Sequence, residues 1–118
     1  MDKDVEKYLY DALESIHIIE IHLKNIKDYS TFSQDILVQD AVHRRLSIIG
    51  EALWKANKIN ASINITNIRK VISFRHILIH DYDKIEIPAV WLIVTKNLIT
   101  LKEEIEIILK KRNGSSIN

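Results

Sequence analysis

The sequence predicts an all-α domain, an antiparallel four-helix bundle, and three observations carry that prediction. Apolar residues recur in steps of three and four through most of the 118 residues, which is the period of a helix with one greasy face. Only two glycines and one proline interrupt the chain, too few for the frequent turns a sheet requires. No internal repeat or linker divides it, so residues 1–112 read as one helical domain and 113–118 as a flexible tail.

The first helix follows from Val5, Leu9, Ala12, Ile16, Ile19, Leu23 and Ile26, a single stripe. Ile18 and Ile21 lie off it and call for a second cover. A second helix begins after Tyr29, with Ser30, Thr31 or Ser33 as cap, and runs through Val42, Leu46, Ile49 and Leu53 to about Lys58. Gly50 and Ala52 in its middle allow another backbone to come close. The Asn- and Ser-rich stretch 57–64 reads as a loop. Thr66 is the expected cap of a third helix ending near His80 or Tyr82, and Pro88 suits the first turn of a fourth. There Trp91, Val94, Leu98, Leu101, Ile105 and Ile108 repeat the three–four step.

Composition narrows the function. Cysteine is absent, which excludes disulfides and thiolate chemistry. The charged segment 1–7 has no leader-like apolar core, and no apolar run approaches the roughly 18 residues of a membrane span. A cytoplasmic location is expected. A net charge of +1 argues against a general nucleic-acid coat but leaves room for a local basic site.

The third helix breaks its own pattern. On a wheel of about 100° per residue, Ile68, Val71, Ile72, Leu78 and Ile79 all fall within about 60° of Arg75. A guanidinium stays charged, and burying it unpaired costs several kcal/mol. Three readings are open: it snorkels to water, it pairs with a carboxylate, or it faces a wet cleft that holds an anion. Arg69, Ser73, His76 and His80 form a polar stripe on the other side. Arg75 and His80 diverge by about 140° in a straight helix, so gripping one atom together needs a helix that ends or distorts near His80, or a second copy. The uncovered Ile18, Ile21 and Ile77 make a dimer reasonable.

The run Arg75, four residues, His80, one residue, Tyr82 resembles the Arg-x4-His-x-Tyr signature of HepT-like toxins in the HEPN superfamily. Ile49-Gly50-Glu51-Ala52 in helix two and Trp91 early in helix four stand where that family has similar residues, and the likeness covers nearly the whole chain. It departs at His76, where HepT-like chains often carry Asn. The resemblance implies a homodimeric, metal-independent endoribonuclease, the toxin of a toxin–antitoxin pair. It implies a partner of the MntA type, a minimal nucleotidyltransferase that silences the toxin by adenylylating the motif tyrosine. Carried over, Arg75 and His80 are catalytic, His76 supports them and Tyr82 is the modified residue; no cofactor is implied.

These side chains suit such chemistry. An imidazole titrates near neutrality and can move the proton of a ribose 2′-hydroxyl, while a guanidinium fork holds charge that builds on phosphate oxygens. Rival readings remain. His76 and His80 are spaced for a metal, yet zinc needs further ligands. A non-catalytic HEPN module could bind a nucleotide or assist the transferase, and a plain interaction bundle would leave Arg75 to chance. His43-Arg44-Arg45 reads mainly as a solvated edge, with a basic surface toward RNA as the alternative. His17 and His22 look like ordinary face residues, Trp54 and Trp91 like core or interface. Glu51 is a possible partner for Arg75.

Overall fold

The computed structural model describes residues 2–66 and 68–115, with side chains up to residue 111. Helix α1 (Lys3–His22) is followed by a short α2 (Tyr29–Gln34), a long α3 (Ile36–Ile59) and α4 (Ile68–His80). A 3-10 turn (Tyr82–Lys84) leads into α5 (Ile87–Leu92), which continues through a π turn (Ile93–Asn97) into α6 (Leu98–Ser115). No strand occurs among the described residues, and the fold is all-α as the spacing predicts.

Helix α1 starts where Asp2, in extended backbone, accepts a hydrogen bond from the Asp4 N–H at 2.7 Å. Its stripe Val5, Leu9, Ala12, Ile16 and Ile19 is fully buried, and Leu23 and Ile26 pack on the core past its end. Burial of each large apolar side chain contributes about 1.5–3 kcal/mol, so this stripe alone commits α1 to the bundle. Helix α3 is the central element. It packs against α1 on one side and α4 on the other, with Val42, Leu46, Ile49 and Leu53 buried.

Two boundaries differ from expectation. The cap of the long helix is Asp35 rather than Ser30, Thr31 or Ser33: its carboxylate accepts from the Val38 N–H at 3.0 Å. Residues 29–34 form a separate short helix capped by Asp28, which accepts from both the N–H and the hydroxyl of Thr31 at 2.8 Å. Two caps in succession let the chain turn between α2 and α3. Gln39 ties the corner by donating to the Phe32 carbonyl at 2.7 Å. Thr66, expected as a cap, uses its hydroxyl to donate to Glu104 on α6 at 2.7 Å.

The last rod is continuous but not uniform. The Leu98 N–H bonds to the Ile93 carbonyl, five residues back. Buried positions here step from Val90 to Val94 to Leu98 by four each time, a period too long for an α-helix. One wide turn absorbs the surplus and keeps Leu101, Ile105 and Leu109 facing the core. The rod runs to Ser115, three residues past the boundary expected at 112; residues 116–118 of the expected tail lie outside the described residues.

Some apolar surface stays open. Ile21, Leu92, Ile99 and Ile107 are about half exposed, and Leu37 is 83% exposed. On α4 only Leu78 is buried, although Ile68, Val71 and Phe74 pack against the core. Among the described residues, no helix is long and apolar enough to cross a membrane.

Candidate active site at the end of α4

Helix α4 approaches α3 through a missing side chain. A Cβ built on Gly50 would overlap the Cβ of Arg75 and stand 3.2 Å from its Cγ and 3.4 Å from its Cα. Only glycine at position 50 admits that approach, and the approach fixes where Arg75 leaves its backbone.

Arg75 then reaches along α3. Its Nε donates to Glu51 Oε2, and its guanidinium carbon lies 4.9 Å from the centroid of the Trp54 ring, within cation–π range. The Arg75 side chain is 19% exposed and that of Glu51 35%. Of the three readings open to this arginine, pairing with a carboxylate holds for Nε. The two terminal amino groups of the guanidinium make no hydrogen bond among the described residues. Glu51 also lines a groove of about 480 Å³ between α1, α3 and the end of α4, with Arg45, Lys55 and Ile79 on its walls.

The polar stripe is solvated as expected. Arg69, Ser73, His76 and His80 are all exposed, and the rings of His76 and His80 lie 4.7 Å apart, tilted by 49°. The helix keeps its hydrogen bonding to the end, since the Asp81 N–H still bonds to the Ile77 carbonyl at 3.0 Å. Arg75 and His80 therefore keep the angular separation of regular helix positions.

Tyr82 does not return to the arginine's side, because α4 stops before it. Asp81 adopts φ −129°, ψ 48°, and Tyr82 opens the 3-10 turn. Its phenol crosses to an earlier stretch of α3, where the hydroxyl donates to Asp40 Oδ1 at 3.1 Å and lies 3.3 Å from His43 Nδ1. The two rings meet edge to face at 5.7 Å. Asp40 and Glu51 are about 16 Å apart along α3 at a rise of about 1.5 Å per residue. The arginine and the phenolic oxygen thus meet α3 about three turns apart.

His43 corrects the solvated-edge reading of His43-Arg44-Arg45. Arg44 is exposed and Arg45 half-buried, but His43 is buried, and its Nε2 has no hydrogen-bond partner among the described residues. Burial lowers its pKa below the ordinary 6.5, against the opposing charge of Asp40, so the ring is neutral near pH 7. With the phenol proton given to Asp40, the remaining polar contact is His43 Nδ1–H donating to the phenolic oxygen. That tautomer leaves Nε2 a bare lone pair rather than a stranded N–H. Desolvation raises the Tyr82 pKa above the ordinary 10.0, and the hydrogen bond and charge of Asp40 raise it further.

Asp40 and His43 were therefore missed as site residues. The signal was present: Gln39, His43, Leu46 and Gly50 step by four, three and four, and all are buried. The basic neighbours of His43 masked it. Glu51, open as a possible partner for Arg75 in the sequence, is the carboxylate that Arg75 meets. Among the described residues, no group of three or more His, Asp or Glu is placed to hold a metal ion.

Comparison with known proteins identifies the family. A family model described as Ribonuclease HepT-like matches residues 12–108. A Methanocaldococcus jannaschii protein named "Putative RNase MJ1380" is 35% identical over 107 residues, 90% of this chain and 97% of its own length. A second from that organism, "Putative RNase MJ1216", is 31% identical over 117 residues, 98% of this chain and 96% of its own. The whole chain also aligns at 35% identity with "Gamma-glutamylcyclotransferase and putative RNase MJ0434", spanning 53% of that longer protein. No solved structure matches.

Proposed function

Because the chain belongs to the Ribonuclease HepT-like family, we propose that it is a metal-independent endoribonuclease toxin, with Arg75 and His80 catalytic and Tyr82 the site of its silencing. The observation that carries this reading is the arrangement of Arg75. Glu51 and Trp54 hold the guanidinium by one edge and one face, while its two terminal amino groups keep their donors unspent. A guanidinium held in that way is preorganised for phosphate oxygens.

In this mechanism His80 takes the proton of a ribose 2′-hydroxyl, which attacks the adjacent phosphorus. A second imidazole protonates the departing 5′-oxygen, and Arg75 stabilises the charge on the non-bridging oxygens. His76, in ring contact with His80, supports its orientation. Since α4 is regular through His80, one chain does not wrap both groups around one phosphate. The reading therefore includes a twofold homodimer in which two α4 ends meet over the RNA. The exposed Ile79 beside His80 and the thin cover over α4 favour such a contact.

The regulatory half of the proposal is a cytoplasmic toxin–antitoxin pair. A nucleotidyltransferase of the MntA type adenylylates Tyr82, a residue that is 54% exposed and open to modification. A bulky anionic group there, two residues past His80, repels RNA from the α4 ends that the mechanism brings together.

The test is cleavage of labelled RNA, with EDTA present, by the wild type, Arg75→Ala and His80→Ala. Cleavage by the wild type alone supports the proposal; equal cleavage by all three refutes it. The Arg75–Glu51 ion pair favours a second reading, a non-catalytic module in which Arg75 braces α4 against α3. RNA left intact by the wild type, together with a large stability loss in Arg75→Ala, would establish that reading instead.

A further inference from the structure

Tyr82 is held in a way that a merely exposed modification target does not need. Its oxygen has two partners from one face of α3, Asp40 at 3.1 Å and the buried His43 at 3.3 Å, three residues apart and so on the same side of that helix. The phenolic proton points to the carboxylate. In the tautomer that leaves Nε2 without a stranded proton, the His43 Nδ1–H donates to the phenolic oxygen.

We propose that Asp40 is the proton acceptor that activates Tyr82 for nucleotidyl transfer, and that His43 is the residue positioning its oxygen. The inference rests on the reading of Tyr82 as the modified residue and adds that the acceptor chain supplies its own base. In the step, Tyr82 Oη forms a bond to the α-phosphorus of a nucleoside triphosphate. The bond from that phosphorus to the bridging oxygen breaks, and pyrophosphate leaves with the electron pair. The phenolic proton passes to the Asp40 carboxylate and from there to solvent. The N–H of His43 stabilises the negative charge developing on the phenolic oxygen. A phenol whose pKa burial and a neighbouring carboxylate raise is protonated at neutral pH, so it needs such an acceptor at the moment of attack.

The experiment is adenylyl transfer from ATP labelled at the α-phosphate, catalysed by the partner nucleotidyltransferase, to the full chain and its variants. Tyr82→Phe should take up no label. Asp40→Asn should lower the initial rate by about a hundredfold with the KM for ATP unchanged. Asp40→Glu should restore a large part of that rate, and His43→Gln should show a smaller loss. The Asp40→Asn defect should also shrink as pH rises toward ionisation of the phenol, because a phenolate needs no acceptor. A merely structural role for Asp40 would not produce that pH dependence.

Wild-type label uptake matched by Asp40→Asn overturns this inference alone. So does an Asp40→Asn defect that is independent of pH and not rescued by Asp40→Glu. No label on the wild type overturns the reading of Tyr82 itself, and this inference with it. Helical circular dichroism checks that each variant folds. If Asp40→Asn does not fold, a Tyr82 phenol ionising at its ordinary value in the wild-type chain, by ultraviolet titration against Tyr82→Phe, is the overturning result.

Discussion

Gly50 on α3 and Arg75 on α4 touch backbone to side-chain root, with the space for a Gly50 Cβ already occupied by the Cβ of Arg75. A tight contact between the two helices is therefore also the root of the proposed phosphate-binding arginine. A methyl group at position 50 must push α4 away, and it moves Arg75 first.

Gly50→Ala should destabilise the fold by about 1–3 kcal/mol, the usual cost of overpacking, despite the better helix propensity of alanine. RNA cleavage should fall further than the folded fraction does. Urea denaturation and cleavage of labelled RNA by the same preparation check both statements. A variant as stable and as active as the wild type would show that the close approach is dispensable.

Glu51→Gln keeps an oxygen acceptor for Arg75 Nε and removes the charge. Because the Glu51 carboxylate is a third exposed, solvent screens the pair, and the expected stability loss is only about 1 kcal/mol. Cleavage should be weakened but not abolished, whereas Arg75→Ala abolishes it. Equilibrium unfolding and single-turnover cleavage separate the bracing role of the pair from the catalytic role of the guanidinium.

His43 makes stability depend on pH in a defined direction. Its pKa is lowered in the folded chain, so below about pH 6.5 the unfolded state takes up a proton that the folded state refuses. Unfolding free energy should fall as pH drops below 6.5 and level off once the lowered native pKa is passed. Above 6.5 this group adds no pH dependence. Urea midpoints between pH 5 and 8 should show the decline in the wild type and a shallower one in His43→Gln.

Two copies of α4 are needed for one site in the proposed mechanism, and this can be tested without locating the interface. Sedimentation should give twice the 13.8 kDa chain mass. Adding an excess of inactive His80→Ala chains to the wild type should depress cleavage well below that of the same amount of wild type alone, because a mixed dimer keeps only one of the two imidazoles. A monomer, or wild-type cleavage untouched by the excess after subunits have exchanged, would remove the dimer from the mechanism.

How legible each feature was depends on how local its cause is. The stripes of α1 and α3 were readable because a three–four step expresses contacts that every turn of a helix repeats. The break at Asp35 was harder, since Ser30, Thr31, Ser33 and Asp35 are all competent caps. The choice among them follows from the tertiary corner that Gln39 and Phe32 close. His43 was misjudged because its neighbours Arg44 and Arg45 gave the segment a surface composition, while its own angular position put it in the core.

From the sequence alone came the helical class, the stripes, the room for a close approach at Gly50 and the misplacement of Arg75 among apolar residues. These are properties of periodicity and of charge in a greasy setting, and they hold before any helix meets another. Which carboxylate takes Arg75, and which side chains receive the Tyr82 hydroxyl, were decided only when α3 and α4 packed antiparallel. Those partners lie 24, 42 and 39 residues away in the chain. No local period encodes such separations; the meeting of two helix surfaces does.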